Sequence, residues 1–500
     1  MGGVRRARAL PRGTSNLARF RAVLSFAVLA CVALVMGAPS VLLDPPSPLP
    51  TAIPSGYYRV ENRGGVWWLI DPLGAPTLSI GVDNVVYEGD RIQGTGPSPY
   101  LQAVEQIYPD RSAWNRRALD RLHAWGFNTL GAWSDPELSD LRTPYTVMLD
   151  FAAESGADWL RGRPVDVYDP RFEDTAREIA RRVATPREHD PLLIGYFSDN
   201  ELWWGPDWRR WDSMLGSYLA LPAGAPGRKR AVEFLQARYG SAQRLSRAWR
   251  VAVRDFAHVP PRAATPAYRA DADAFLEMVA SRYFAVSARA IRAADRHHLY
   301  LGARFAGLPP DPVLRASWQV DVVSINLYNR DPRSAVIRAF ALTGRPVLVS
   351  EFSFRALDSG FPNTVGAGPW VFSQWSRARA YERFVLRLES LPEAIGYHWF
   401  RWADEPKEGR ADGENSNYGL VKLTDAPYAE FVAAVTAANR AALHVHRGAP
   451  TAISVPAQPF WQAWNPRAIL DALLGGPRWL VTAIRTLSGF LARAPRVVRT

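Results

Sequence analysis

Between about residues 55 and 440, short apolar runs alternate with longer stretches in which apolar positions recur every three or four residues. The first pattern predicts β-strands and the second predicts amphipathic helices. Eight strands are expected, at Thr77–Val82, Asn128–Trp133, Tyr145–Leu149, Leu193–Phe197, Tyr300–Ala303, Val320–Ile325, Pro346–Val349 and Ala394–Phe400. This alternation of strands and helices is typical of an α/β fold.

Two of the predicted strands indicate how the sheet is arranged. Val322–Ile325 and Val347–Val349 are largely apolar on both faces, as strands of a covered parallel sheet require. Eight strand–helix units therefore predict a (β/α)8 TIM barrel, with its largest insertion between strands four and five. A doubly wound sheet is the alternative, but Gly94-x-Gly96 is followed by Pro99 and is not a dinucleotide-binding loop.

The net charge of +12 belongs to the two ends of the chain. Residues 1–43 contain six arginines and no acidic residue, and residues 441–500 contain seven arginines and one acidic residue. The stretch from 44 to 440 is therefore neutral, which gives no support for a nucleic-acid-binding surface.

The N-terminal charge precedes an apolar run of 17 residues, Ala22–Ala38. We expect residues 1–38 to be a signal peptide or, by a small margin, an uncleaved signal anchor. The protein would then be exported and anchored on the outer face of the cytoplasmic membrane, or secreted if the signal is cleaved. Residues 39–54 are Pro-rich and predict an extended linker to the barrel at 55–440.

Residues 441–500 form a basic extension in which Arg478–Arg496 has the apolar spacing of an amphipathic helix. Such a helix could lie on an anionic membrane or pack back onto the barrel.

Cysteine and histidine positions give no evidence for a metal or cofactor site. Cys31 is the one cysteine, so an internal disulfide and a cysteine-based zinc site are excluded. His297-His298 and His444-x-His446 lack an accompanying carboxylate pattern, and we predict neither a metal nor a cofactor.

Polar or aromatic side chains follow every predicted strand except the third. These positions, at the C-terminal ends of the strands, are where the active site of a TIM barrel lies. The candidates are Asp83, Asn84, Trp133, Asn200, Glu201, Arg304, Tyr328, Glu351, His398 and Trp399. Glu201 and Glu351 are carboxylates that directly follow predicted buried strands. A pair of carboxylates can protonate a leaving sugar oxygen and attack the anomeric carbon, as glycosidic cleavage requires.

Tryptophan is abundant, with 19 residues, and it clusters beside both carboxylates. Trp203, Trp204, Trp208 and Trp211 follow Glu201, Trp370 and Trp375 follow Glu351, and Trp399 and Trp402 end strand eight. These rings could stack on sugars or pack helices onto the barrel, and we favour sugar contact for Trp204 and Trp399. The charged loop with Asp404-Glu405 and Asp412-Gly-Glu414 is expected to be solvated, although it could contact sugar hydroxyls.

Four stretches resemble clan A glycoside hydrolases, and most closely the β-agarases of family 50. They are Trp125–Asp135, Ile194–Gly205, Val349–Phe354 with Ala356–Gly360, and His398–Phe400 with Asp412–Asn415. The resemblance implies that Glu201 is the acid/base and Glu351 the nucleophile of a retaining enzyme. It also implies that Asn200 binds a sugar hydroxyl, Tyr328 donates to the nucleophile and Trp399 forms the floor of the sugar site.

Arg304 is expected to replace an arginine that many clan A enzymes place after strand two. Together with Trp204, His398, Asn84 and Trp133, it completes the predicted substrate-binding set.

The function expected from these observations is cleavage of O-glycosidic bonds in a galactose-containing polysaccharide or oligosaccharide. The alternatives are a catalytically silent, membrane-tethered carbohydrate-binding barrel and a membrane-tethered scaffold. Release of reducing ends distinguishes the enzyme from both. The glycan, exo or endo action and the oligomeric state stay open.

Overall fold

The computed structural model describes residues 53–448, which form an α/β fold around a nine-stranded parallel sheet. The strands of this sheet are β4 (Ser79–Val82), β5 (Thr129–Leu130), β6 (Tyr145–Met148), β7 (Leu193–Phe197), β8 (Leu299–Tyr300), β9 (Phe305–Ala306), β10 (Val323–Asn326), β11 (Val347–Phe352) and β14 (Ala394–Trp399). One small sheet of the described residues contains β1 (Arg59–Arg63), β2 (Val66–Ile70) and β3 (Pro76–Thr77). Another contains β12 (Arg355–Ala356) and β13 (Trp370–Val371).

The large sheet curls so that its two edge strands belong to one continuous segment of the chain. Its strands are ordered β8-β7-β6-β5-β4-β14-β11-β10-β9. The end strands β8 and β9 are consecutive in the chain, with four residues between them, and they pair with β7 and β10 respectively. This closure by a single segment is the arrangement expected of a TIM-like barrel. The predicted α/β class is confirmed, and the curled parallel sheet of nine strands is consistent with a TIM-like domain.

The fifth predicted strand, Tyr300–Ala303, differs from the structure because it is interrupted. Gly302 and Arg304 have φ of 84° and 43°, so the backbone leaves the extended conformation between β8 and β9. An extended ladder cannot continue through left-handed residues. For the same reason the second strand stops at Leu130, before Trp133 with its φ of 57°.

Twelve α-helices of the described part of the chain surround the sheet. They are α1 (Pro99–Ile107), α2 (Arg111–Ala124), α3 (Phe151–Glu154), α4 (Pro170–Val183), α5 (Met214–Leu219), α6 (Pro226–Tyr239), α7 (Ala242–Trp249), α8 (Pro266–Ala294), α9 (Asp311–Ala316), α10 (Arg333–Thr343), α11 (Gln374–Glu389) and α12 (Ala429–His446) within residues 53–448. Short 3-10 helices lie at Ile92–Gly94, Pro136–Leu141, Thr185–Arg187, Phe256–His258, Ser317–Gln319 and Leu357–Ser359. The connection between β7 and β8 contains α5 to α8 and is the predicted insertion.

The described part of the chain has two apolar clusters, one between sheet and helices and a smaller one that includes inward-facing strand residues. The smaller cluster contains Ile194, Phe197, Leu299, Leu301, Val322, Leu348 and Ile395. Tyr58 and Leu69 from the N-terminal hairpin pack into this cluster. Because Trp67 of the hairpin donates to the carbonyl of Pro392, just before β14, the hairpin covers the end where the strands begin. The other end of the barrel carries the polar strand-end residues.

Among residues 53–448, no helix is long and apolar enough to cross a membrane. The predicted signal or anchor at residues 1–38, most of the linker at 39–54 and the helix at Arg478–Arg496 lie outside the described residues.

Candidate active site

The strand ends at the open end of the barrel share an uncommon backbone conformation. Asn84, Trp133, Asp150, Glu201 and Arg304 have φ between 43° and 57°. A left-handed conformation of this kind costs a non-glycine residue about 1–3 kcal/mol, and such residues cluster at functional sites. The first five strands of the barrel therefore each end in a strained residue beside the same opening.

A cleft of about 1590 Å³ lies at this opening. Its wall includes Asn84, Asp90, Arg91, Trp133, Trp159, Asn200, Glu201, Trp208, Leu308, Asn326, Tyr328, Arg338, Glu351, Phe400, Arg410, Asp412 and Glu414. Its volume exceeds the range typical of small-molecule pockets, about 300–1,000 Å³. The cleft is therefore large enough for several sugar rings.

Glu201 follows β7 and is held by both its side chain and its backbone. The side-chain amide of Asn326 donates to Glu201 Oε1 at 3.0 Å. Arg209, whose side chain is almost fully buried, donates to the Glu201 carbonyl at 2.7 Å and to the Trp159 carbonyl at 2.8 Å. These bonds fix the Glu201 backbone, and among the described residues Oε2 of its carboxyl has no hydrogen-bond partner.

Glu351 lies in β11 and is almost fully buried. Its Oε2 accepts a 2.7 Å hydrogen bond from the Tyr328 hydroxyl, and its Oε1 accepts one from the Arg304 guanidinium. Asn326 is the neighbour of Glu351 in the β10–β11 ladder. Since the same asparagine bonds Glu201, the two carboxyl groups lie on either side of one residue.

Arg304 connects four groups beneath the cleft. Its guanidinium donates to Glu351, to Asp83 at 3.0 Å and to Asn200 Oδ1 at 3.0 Å. It also lies over the Trp133 ring, 4.7 Å from the centroid. Asp83 is itself fixed by the backbone amide of Ala132 at 2.8 Å.

Two asparagines present free polar atoms to the cleft. Asn200 Oδ1 accepts from Arg304 and Asn326, so the Asn200 amide remains available as a donor. Asn84 Oδ1 is buried and has no hydrogen-bond partner within residues 53–448. A buried polar atom without a partner is costly, and a ligand hydroxyl would satisfy it.

The electrostatic environment acts differently on the two acids. Burial raises the pKa of Glu201, and the Asn326 hydrogen bond opposes that rise. Burial also raises the pKa of Glu351, while the Arg304 charge opposes the rise and the nearby Glu201 adds to it. Glu351 receives hydrogen bonds from a guanidinium and a hydroxyl, and Glu201 receives one from an amide, and each of these donors favours the ionised form of its carboxyl.

A charged loop after β14 completes the wall. Arg410 pairs with Asp412 at 2.7 Å, with Glu414 at 2.8 Å and with the buried Glu405 at 3.3 Å. Asp404 is also buried, and it accepts from Asn417, Gly419 and Tyr428. The expectation that Asp404 and Glu405 are solvated is therefore wrong, since both anchor the loop.

Among the described residues, no cluster of three or more histidine, cysteine or acidic side chains could hold a metal ion. His298 instead binds Asp295 at 2.6 Å and the carbonyl of Asp190 at 2.8 Å, which makes it a structural residue.

Comparison with known proteins identifies relatives with related sequences and folds. β-Agarase A of Vibrio sp. (strain JT0107) is 30% identical over 450 residues, covering 75% of this chain and 45% of that protein. β-Agarase B of the same organism is 27% identical over 461 residues, covering 77% and 48%. No protein-family model matches the chain.

Solved structures show the same relationship. An exo-β-agarase has a TM-score of 0.71 with 26% identity and covers 85% of this chain and 71% of its own. The protein PfGH50B has a TM-score of 0.70 with 26% identity, covering 80% and 67%. The chain therefore resembles the family 50 β-agarases in both sequence and fold. It spans about half the length of the curated relatives that it matches.

Six of the predicted site residues line the cleft. They are Asn84, Trp133, Asn200, Glu201, Tyr328 and Glu351. Arg304 does not line it, because it is fully buried behind Glu351 and Asn200. Arg304 is therefore placed to position other groups and not to bind substrate.

The prediction that Trp399 forms the floor of the site is wrong. Trp399 is fully buried, and it packs against Phe352 and Phe431 on the helix side of the sheet. The cause is a bulge, because Val347 and Val349 of β11 pair with Ala394 and Tyr397 of β14. The β14 strand has one residue more than β11 between these two pairs, and Gly396, with φ of 138°, lies in this bulge. The bulge exchanges the inward- and outward-facing positions that follow it on β14.

The same bulge explains where the side chains of His398, in β14, and Phe400, directly after β14, are placed. His398 faces the interior but lies below the cleft, 2.9 Å from Ser79 Oγ and 3.6 Å from Asp83 Oδ1, so it does not line the wall. Phe400 lines the cleft in the place expected for Trp399. A glycine inside a predicted strand is the sequence signal that indicates such a bulge.

Trp204 also differs from its prediction. Its ring stacks on Phe284 of α8 at 6.0 Å and contacts Tyr283 at 5.4 Å, so it packs the insertion onto the barrel. The tryptophans that do line the cleft are Trp133, Trp159 and Trp208. Trp159 was missed because it lies far from either carboxylate in the sequence.

Proposed function

We propose that this chain is a retaining β-glycoside hydrolase acting on a galactose-containing polysaccharide or oligosaccharide. The observation that carries the proposal is the pair of carboxyl groups, Glu201 and Glu351, that line one large cleft at the strand ends. Burial raises the pKa of both carboxyl groups, and Glu351 receives hydrogen bonds from a guanidinium and a hydroxyl where Glu201 receives one from an amide.

In the first step, an ionised Glu351 oxygen attacks the anomeric carbon while the proton of Glu201 moves to the departing glycosidic oxygen. The C–O bond to the leaving sugar breaks and a glycosyl ester with Glu351 forms. In the second step, Glu201 removes a proton from water, and the resulting oxygen displaces Glu351 from the anomeric carbon. Two displacements at the same carbon retain its configuration.

Retention is favoured by how directly the two acids are connected. Asn326 donates to Glu201 and neighbours Glu351 in the ladder, and Arg304 links Glu351 to Asn200 beside Glu201. Such a compact arrangement favours the separation of about 5–5.5 Å found in retaining enzymes over the wider spacing that accommodates a water.

The galactose-containing substrate is supported by the relatives, which are β-agarases. The size of the cleft and its aromatic wall of Trp133, Trp159, Trp208 and Phe400 support binding of several sugars. Asn84 and Asn200 would bind sugar hydroxyls, since both present unsatisfied polar atoms to the cleft.

The test is to incubate the purified protein with agarose and other galactans and to measure reducing ends, followed by NMR of the first-formed anomer. We expect a β-configured product. The Glu351→Ala variant should lose nearly all turnover and regain it with azide, giving an α-glycosyl azide. Glu201→Ala should still be glycosylated by substrates with very good leaving groups, which need no proton.

Two results would contradict the proposal. An inverted product from the wild-type protein would exclude retention while leaving hydrolysis intact. Binding of galactans without any release of reducing ends would instead favour a silent carbohydrate-binding barrel.

The location that we propose follows from the sequence of residues 1–38. We expect export, with attachment to the outer face of the cytoplasmic membrane. Fractionation of cells expressing the full chain should place it with the membranes, and full-length protein that is soluble without detergent would exclude an anchor.

A further inference from the structure

A third carboxylate, Glu414, lines the same cleft as Glu201 and Glu351. Its Oε2 accepts a 2.8 Å hydrogen bond from Arg410, and its backbone is fixed by bonds to Asp412 and Arg410. Its Oε1 has no hydrogen-bond partner among the described residues. Glu414 therefore offers a held carboxylate with one oxygen free at the cleft.

The charges around Glu414 do not neutralise it. Arg410 is shared among Glu405, Asp412 and Glu414, and Arg401 is shared between Asp90 and Glu405. Four carboxyl groups therefore share two guanidinium groups, so carboxyl groups outnumber cations at this wall.

The rest of the described cleft adds little positive charge. Arg338 lines the opposite wall, but Asp311 binds its guanidinium through two nitrogens. Arg91 is exposed and donates to the carbonyl of Gly96 at 3.4 Å. The wall formed by residues 53–448 therefore contains five carboxyl groups and three guanidinium groups, two of which are already paired with carboxylates.

Glu414 also acts on the reacting groups. Burial is the main cause of the raised pKa of Glu201, and the charge of Glu414 adds to that rise. The charged groups that act on Glu201 include Arg209, Arg304 and Glu414, and Glu351 also interacts with it. Because Glu414 lines the same cleft as Glu201 and Glu351, a sugar chain bound along the cleft can contact all three.

We propose that Glu414 is a specificity-determining residue that accepts hydrogen bonds from hydroxyls of an uncharged sugar and excludes sugars bearing sulfate or carboxylate at that position. The inference rests on the proposed glycosidase function. A carboxylate can only accept hydrogen bonds, so hydroxyl groups suit it and a sulfate ester offers it no donor. The like charges also repel each other in a partly buried site.

The experiment compares neutral agarose oligosaccharides with sulfated galactan oligosaccharides of equal length as substrates. Glu414→Gln should lower kcat/KM for the neutral substrate by about 10- to 100-fold, as expected for loss of a hydrogen bond to a charged group. The ratio of sulfated to neutral turnover should rise. Glu414→Asp should keep the discrimination but lose rate, because it retains the charge and shortens the reach.

Glu408→Gln is the matched control, since Glu408 is exposed on the same loop and does not line the cleft. It should match the wild type on both substrates. The alkaline limb of the kcat/KM profile should also move to lower pH in Glu414→Gln and stay in place in Glu408→Gln, because removing the charge lowers the pKa of Glu201.

Inhibition of the wild-type protein provides a measurement that does not depend on folding of the variants. Neutral oligosaccharides should inhibit hydrolysis of an aryl glycoside at least 10-fold more strongly than sulfated ones. Two results would overturn the role of Glu414 and leave the glycosidase function intact. One is equal inhibition by neutral and sulfated oligosaccharides. The other is an active Glu414→Gln variant with unchanged kcat/KM and an unchanged ratio of sulfated to neutral turnover. A wild-type protein that releases no reducing ends would overturn the glycosidase function and this inference together.

Discussion

Arg304 and Glu351 form an ion pair that is closed off from solvent, with side-chain exposures of 0% and 6%. The same guanidinium binds Asp83 at 3.0 Å, so one cation serves two buried carboxylates. A buried charge without such a partner would be neutralised by a shift of its pKa. The Arg304 charge therefore opposes the rise in the Glu351 pKa that burial causes.

Replacing Arg304 by Gln should lower kcat/KM and move the acid limb of its pH profile to higher pH. Without the cation the pKa of Glu351 rises further, so the ionised fraction at a given low pH falls and the limb shifts to higher pH. We expect kcat/KM to drop by about 100-fold or more, equivalent to about 3 kcal/mol. The pH dependence of kcat/KM measures both effects.

Arg315→Gln is the control for this change, because Arg315 is half-exposed and pairs with Glu277 away from the cleft. An acid limb that stays in place in Arg304→Gln would show that Arg304 does not support the charge of Glu351.

Tyr328→Phe should act on the same group more weakly. The variant removes the 2.7 Å hydrogen bond to Glu351 Oε2 and keeps the ring. A hydrogen bond to a charged acceptor contributes about 1.5–3 kcal/mol, so kcat/KM should fall by about 10- to 100-fold. Tyr57→Phe, outside the cleft, should leave the rate unchanged. Equal rates for Tyr328→Phe and the wild type would exclude a role in holding the nucleophile.

The two acids and their partners were predictable because they follow strands that the apolar pattern already indicates. Leu193–Phe197 is predicted with the observed bounds, and the residues directly after it, Asn200 and Glu201, do line the cleft. Parallel strands bring their carboxyl ends to one side, so separation along the sequence does not obscure this relationship.

The tryptophans were not predictable in the same way, since neighbours in sequence have opposite environments. Trp204 is buried against α8, whereas Trp208, four residues later, is 69% exposed. Which ring meets the insertion depends on contacts with residues about 80 positions away. Trp399 shows a second limit, because the bulge at Gly396 reverses the inward and outward positions that simple alternation assigns.

Substrate length should matter through Trp208. Its exposed ring lines the cleft on the loop that Arg209 connects to Trp159. Trp208→Ala should lower kcat/KM for long oligosaccharides by about 10-fold, equivalent to about 1.4 kcal/mol of lost apolar burial. An aryl monoglycoside should be almost unaffected, because it does not reach the ring.

Trp211→Ala is a matched control on the same loop, since Trp211 is 82% exposed and does not line the cleft. It should leave both substrates unchanged. A loss of equal size for the monoglycoside and the long oligosaccharide in Trp208→Ala would indicate general damage to the site and not a remote sugar contact.

The last prediction concerns Glu389, a buried residue at the end of α11 far from the proposed chemistry. Neither of its carboxyl oxygens has a hydrogen-bond partner within residues 53–448, and Oε2 lies 3.5 Å from His446 Nδ1. Burial raises the pKa of Glu389 from 4.5 to about 8 and lowers the pKa of His446. Both side chains are therefore neutral in the folded protein near pH 7.

Between pH 4.5 and about 8, the folded protein holds a proton on Glu389 that the unfolded chain releases. The contribution of Glu389 to the free energy of unfolding must then decrease as pH rises, by at most about 1.4 kcal/mol per pH unit. Glu389→Gln removes this proton exchange, so its stability relative to the wild type should increase steadily from pH 5 to pH 8. Urea unfolding at several pH values measures the difference, and the exposed Glu178→Gln should run parallel to the wild type. A Glu389→Gln curve that is also parallel would mean that Glu389 is already ionised in the folded protein, paired with a charged His446.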